Sequence, residues 1–186
     1  MKDPGISWRL AYHEASHAVM YHFLFRDKSI RSVRTYALTG EVVLEEEFCY
    51  VKYDPFRLPG VVAGSIGEWL YAKKHVKAST RTLAEYASGD MEVINEIMAD
   101  HCFPSSHLTE VKRRVARCLK TKFVRIVVSD VAALLHEKLF RLAYVKKSLP
   151  GTLVHKVIND SLARLAATTN GSIEDLRKTA AKLLLL

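Results

Sequence analysis

The chain has 186 residues, nearly half of them apolar, a formal charge of +8, and only eight glycines and five prolines. That composition excludes a disordered or low-complexity chain, and the length suits one domain, 1–186, with a sizeable core. Three cysteines, Cys49, Cys102 and Cys118, show no Cys-x-x-Cys spacing, which excludes a disulfide scaffold and a zinc knuckle and fits a reducing compartment.

Met1 to Gly5 is polar and lacks the apolar core of a signal peptide. No stretch approaches the roughly 20 apolar residues of a membrane span, so the expectation is a cytoplasmic protein with no span. Ser7 is placed to cap a first helix running from about Trp8 to about Phe25. This helix contains His13-Glu14-Ala15-Ser16-His17, a His-Glu-x-x-His string. Residues four apart share a helix face, so His13 and His17 can offer two imidazoles to one metal ion. Glu14 is turned about 100° from His13, beside the metal, where it can take a proton from water. Leu10, Met20, Tyr21 and Leu24 flank the histidines, and Tyr12, Ala15, Val19 and Phe23 cover the opposite side. A helix apolar all round is buried, and buried imidazoles and carboxylates need a partner or a metal. The bland alternative is an ordinary core with hydrogen-bonded histidines.

Arg26 to Ser29 breaks the helix, and Ile30 to Leu38 and Glu41 to Glu47 read as two strands about a Thr39-Gly40 turn. A free strand edge beside a metal could hold an extended peptide by main-chain hydrogen bonds. Phe48 to Leu58 reads as loop, and Pro59 opens a helix to about His75 in which Gly64, Gly67 and Ala72 permit close packing. Glu68 shares the side of Val61, Gly64 and His75, pointing inward to the metal site or to a salt bridge. Lys77 to Tyr86 is polar and irregular, a candidate mobile loop. A helix then runs from about Ser88 to Cys102, followed by helices near 108–123, 128–147 and 152–167; Asn170-Gly171 makes a break and Ser172 caps a last short helix. The order of elements predicts a mainly α, α+β fold with a small β-hairpin or sheet after the motif helix. Lys112, Arg113, Arg114, Arg117, Lys120, Lys122 and Arg125 form a basic run. Val111, Val115, Cys118 and Leu119 supply an apolar stripe beneath it, so it reads as a solvated helix face. Without interleaved aromatics, a nucleic-acid partner is not expected.

A catalytic zinc takes three protein ligands and leaves one position open. No His-x-x-Gly-x-x-His continuation supplies the third, and His22 points away from His17. Asp90 lies on the apolar stripe of its helix with Val93, Ile94, Ile97 and His101. Spacing leaves it either a metal ligand or a helix cap.

Four stretches in order resemble the peptidase part of FtsH, the membrane-anchored AAA+ zinc proteases. His13-Glu14-Ala15-Ser16-His17 is similar to the family's His-Glu-Ala-Gly-His. Ala37-Leu38-Thr39-Gly40 resembles the β segment closing on Leu-Gly. Gly64-Ser65-Ile66-Gly67-Glu68-Trp69 resembles its Gly-Arg-x-Ala-Glu-Glu helix, and Ala87-Ser88-Gly89-Asp90 its Ala-Ser-Asn-Asp. The resemblance implies a helical, zincin-like metallopeptidase domain, with residues 8–102 as zinc-site core and 103–186 as a helical C-terminal part. It implies one Zn2+ per chain held by His13, His17 and Asp90, with Glu14 as the base of a zinc endopeptidase acting on flexible or unfolded polypeptide. Glu68 is a candidate to orient a ligand histidine. The departures are Ser16 for the motif glycine, and Ser65 and Trp69 for the Arg and second Glu of the later helix. A Walker-type string is absent from this chain, so any unfolding motor is expected as a separate ATPase or adaptor chain. The family's peptidase parts form rings, but the changed helix leaves the choice between monomer and oligomer open. Two readings from other classes compete. One is a catalytically idle adaptor working through its basic helices. The other is a closed structural zinc site with one more protein ligand, Glu68.

Overall fold

The computed structural model describes residues 6–36, 39–49, 54–75, 90–142 and 146–185. Among them the chain is mainly helical, with seven α-helices and one three-stranded antiparallel sheet. The helices are α1 (Ile6–Phe25), α2 (Asp54–His75), α3 (Met91–Asp100), α4 (Ser105–Lys120), α5 (Lys122–Lys138), α6 (Gly151–Thr169) and α7 (Ile173–Leu185). The strands are β1 (Ile30–Tyr36), β2 (Thr39–Leu44) and β3 (Lys147–Pro150), in the order β2-β1-β3.

The motif helix α1 is the centre of the molecule because it is apolar on every side. Ala11, Ala15, Ala18, Val19 and Met20 are fully buried, and the helix packs on α2 and α5 and touches the sheet, α6 and α7. The α2 face against it is built of small residues. Gly60, Gly64 and Gly67 lie on one stripe, and a Cβ at any of them would collide with Tyr21, His17 or Ser16. Ser16, whose hydroxyl donates to the Tyr12 carbonyl, fits because Gly67 faces it. The lower core is aliphatic: α5 and α6 pack together and bury Val131, Leu135, Ile158 and Leu162.

Several boundaries differ from the sequence reading. Ser7 lies within α1 rather than capping it, and its hydroxyl meets His136 of α5 at 3.3 Å. Thr39 and Gly40 are paired strand residues, opposite Tyr36 and Thr35. Helix α2 begins at Asp54 and includes Pro59; Pro55 sits in the first turn, where a missing N–H costs nothing, and Pro59 forgoes a single intrahelical bond. The helix expected over 128–147 ends at Lys138. Its tail gives way to a 3-10 turn, Phe140–Leu142, and to β3, whose Leu149 pairs with Val33.

Other expectations hold. Asn170 ends α6 in the left-handed conformation (φ 50°), and the Ser172 hydroxyl accepts from the Asp175 N–H at the start of α7. The basic run covers the outside of α4 and the start of α5, with Val111, Val115, Cys118 and Leu119 buried beneath it. The Lys77–Tyr86 stretch, Ala37-Leu38 and Ala87 to Gly89 fall outside the described residues. No described helix is long and apolar enough to cross a membrane.

Candidate metal centre

Two elements bring the expected ligands together. One turn of α1 presents His13 and His17, and Asp90 enters from the residue preceding α3. Asp90 makes no side-chain cap hydrogen bond to its own helix. Its carboxylate faces the histidines instead, with one oxygen 3.4 Å from His13 Nε2 and the other 3.4 Å from His17 Nε2. Gly64 makes room for this meeting: a Cβ there would lie 2.2 Å from His17 Nε2 and 2.6 Å from His13 Nε2.

The outer nitrogens fix the protonation of the rings. His17 Nδ1 lies 2.8 Å from the Gly60 carbonyl oxygen, which only accepts, so this nitrogen carries the proton and donates. His13 Nδ1 lies 3.1 Å from a carboxylate oxygen of Glu68 and donates likewise. In their neutral forms both rings therefore aim a lone pair from Nε2 at Asp90, which itself offers only lone pairs. Three acceptors facing one another in a buried space need a cation between them. Around a tetrahedral zinc with bonds of about 2.0–2.1 Å, neighbouring ligand atoms lie about 3.3 Å apart, so the donor set and its spacing fit a metal ion. Protons are the alternative cation. Burial works to lower the pKa of His13, but hydrogen bonds to Asp90 and Glu68 outweigh it and raise it to about 10. His17 is raised by Asp90 against the same opposition from burial. Asp90, which burial alone would raise, is held well below the usual carboxylate range by the two rings.

Glu14 points beside the trio. It is 2% exposed, and one of its oxygens, Oε2, is buried with no hydrogen-bond partner among the described residues. Burial pushes its pKa up, opposed by His13 and His17. Strand β2 closes over it: a Cβ on Gly40 would stand 2.9 Å from its carboxylate oxygen Oε1. The far side of β2 pairs with no described strand.

Glu68 does both things open to it. One oxygen accepts from His13 Nδ1, and the other takes two bonds from Arg9, at 2.9 and 3.1 Å. It meets the nitrogen of His13 that faces away from Asp90, so it orients the ring rather than adding a fourth ligand. The closed-site reading loses its extra ligand. Arg9 escaped the sequence reading, although its place four residues before His13 on α1 puts it on the same face.

A second cluster, His22, Asp27 and His155, also brings three donor atoms close enough to hold one ion. Its bonding differs. The Ile30 N–H donates to His155 Nε2, so the proton of that ring sits on Nδ1 and is donated to His22 Nδ1 at 2.8 Å. Here the inner nitrogens already share a proton, so the two rings do not present an open set of lone pairs. His155 was missed because a histidine on the buried stripe of α6, between Val154 and Ile158, reads as core.

No family model, curated protein or solved structure matches this chain.

Proposed function

We propose that this protein is a zinc-dependent endopeptidase, akin to the FtsH peptidase part, that cleaves flexible or unfolded polypeptide. The observation carrying the reading is the convergence of three lone-pair donors, His13 Nε2, His17 Nε2 and Asp90, beside a Glu14 oxygen that has no hydrogen-bond partner among the described residues. Two imidazoles and one carboxylate form a catalytic rather than a structural zinc set, because they leave a fourth position open. Zinc bound there supplies Lewis acidity, bringing the pKa of water to about 7 and polarising a carbonyl.

The chain's own residues do the rest. Glu14 takes the proton of the attacking water and passes it to the leaving amine nitrogen as the C–N bond breaks. Its raised pKa suits that exchange, since a carboxyl that both accepts and returns a proton works best near the operating pH. Glu68 and Gly60 keep both histidines in the ligating tautomer. The open side of β2, which runs past Glu14 at Gly40, offers main-chain groups to an extended substrate. Folded substrates would need a separate ATPase.

Elemental analysis of the untagged protein beside Asp90→Ala tests the reading. About one zinc per wild-type chain, lost or much weakened in the variant, together with cleavage of unfolded casein, is the expected result. A folded wild type that takes up no zinc overturns it and leaves the adaptor reading.

A further inference from the structure

On the side of α1 opposite Glu14 lies a cavity of about 340 Å³, within the size range of small-molecule sites. Tyr12 and Ser16 reach it from α1, about 100° and 60° round from His13 in the sense away from Glu14. Its wall is aromatic: Tyr12 stacks on Tyr71 at 4.2 Å between centroids, and Tyr71 on His75 at 4.6 Å. Leu70, Leu119 and Val128 make the apolar remainder.

Among the described residues the rim is positive throughout. Lys74, Lys120 and Arg125 line the mouth from three different helices, all three exposed, and none makes an ion pair among the described residues. Lys73 lies 5.1 Å over the Trp69 ring. No aspartate or glutamate belongs to the lining among the described residues. Three cations with no acidic partner among the described residues gather at one apolar, aromatic recess, whereas basic side chains usually spread among acids on a surface. Tyr71 is covered on its two faces by Tyr12 and His75, so a flat ring entering the recess packs against Tyr12 and the aliphatic lining of Leu70, Leu119 and Val128, and the rim suits an anionic group held at its edge. An extended nucleic acid fits poorly, because the aromatic side chains are clustered at one pocket and not spaced along a groove.

We propose that this pocket binds a small aromatic anion, a planar ring of up to mononucleotide size bearing a phosphate or carboxylate. The ring packs against Tyr12, Leu70, Leu119 and Val128, and the anionic group meets Lys74, Lys120 and Arg125.

Calorimetric titration of the full chain with 1-naphthyl phosphate, 1-naphthol and inorganic phosphate tests this. One site per chain is expected, with naphthyl phosphate binding at least about tenfold more tightly than either fragment. The Lys120→Glu/Arg125→Glu variant should bind it at least about tenfold more weakly. Both positions are exposed, so circular dichroism should match wild type; Lys74→Glu provides an independent charge reversal if it does not. Lys146→Glu, a cation remote from the cavity, should leave binding unchanged. Equal affinity for phosphate alone, equal affinity for naphthol, or indifference to both charge reversals overturns the proposal. So does a single-stranded oligonucleotide that displaces naphthyl phosphate and binds more tightly. Since these charges lie away from the metal trio, failure here leaves the peptidase reading standing.

Discussion

The proton on Nδ1 of His13 is worth as much as the nitrogen that faces Asp90. Were it on Nε2, the ring would present a donor to the pocket and could ligate nothing. Glu68 holds it in place through a 3.1 Å bond while Arg9 steadies the carboxylate from the other side. Glu68→Ala should therefore lower zinc affinity about 10- to 100-fold without removing a ligand, measured by competition with a chromophoric chelator. Glu68→Gln, which keeps an acceptor, should fall between the two. Glu14 makes the opposite case, a residue whose loss should spare both metal and fold. Its carboxylate is buried with one oxygen unpartnered among the described residues, an arrangement that costs stability rather than adding it. Glu14→Gln should bind zinc like wild type and melt at the same temperature or higher, while casein cleavage falls by about 10²- to 10⁴-fold. Full activity in this variant would remove Glu14 from the reaction.

Between elements, the decisive fit is α1 against α2, where glycines let one helix reach the other's histidines. Gly64→Ala should drive the helices apart, because the added carbon would lie 2.2 Å from His17 Nε2, an overlap with a packed ring. Overpacking of this kind costs about 1–3 kcal/mol, and here it also splays the ligand pair. The variant should lose several degrees in thermal melting and bind zinc far more weakly, by the same chelator competition. Gly64, Gly67 and the histidine pair were legible in the sequence because they follow helical spacing, a local property, while the part of Gly60, which faces Tyr21, was not. What Asp90 does was not, since a first-turn aspartate holds the same angular position whether it caps its helix or turns to another element. Only the placement of α3 beside α1 decides it. Strand β3 was illegible for a different reason. Lys147-Ser148-Leu149-Pro150 buries one residue, and its only signal, a proline ending an edge strand, reads equally well as a helix break. Helix α2 hid its first turn because Pro59 looks like a start from sequence, although Pro55 already occupies that role.

At the scale of the whole molecule, the network around His22 ties the motif helix to the last two helices. His22 on α1 bonds His155 on α6, whose other nitrogen accepts from Ile30 of β1. Arg177 on α7 lies 3.1 Å from His22 Nε2 and reaches Asp27 and Asn159. Neither ring has room for a second proton. Burial, then the neighbouring His155 and Arg177, lowers His22 to about 3, with only Asp27 opposing, and burial lowers His155 as well. On unfolding, these histidines regain a pKa near 6.5, so below that pH the unfolded chain binds more protons than the folded one. The stability they confer is complete above pH 6.5 and is lost as pH falls towards 3, by about 2 kcal/mol at pH 5 for His22 alone. The metal-free trio works in the other sense, because His13 is raised to about 10 and its protonated form stabilises the folded chain as pH falls. Denaturant melts of wild type and His22→Gln at pH 7.5 and 5.0, all with chelator present, separate the two. The trio contributes equally to both proteins, so the wild type should lose about 2 kcal/mol more than the variant across that interval. Equal losses would mean that His22 takes up its proton in the folded state, and that the link between α1, α6 and α7 carries a charge. The same helices would then be held by an ion pair between His22 and Asp27, 3.7 Å apart, and added salt would weaken the wild type more than the variant.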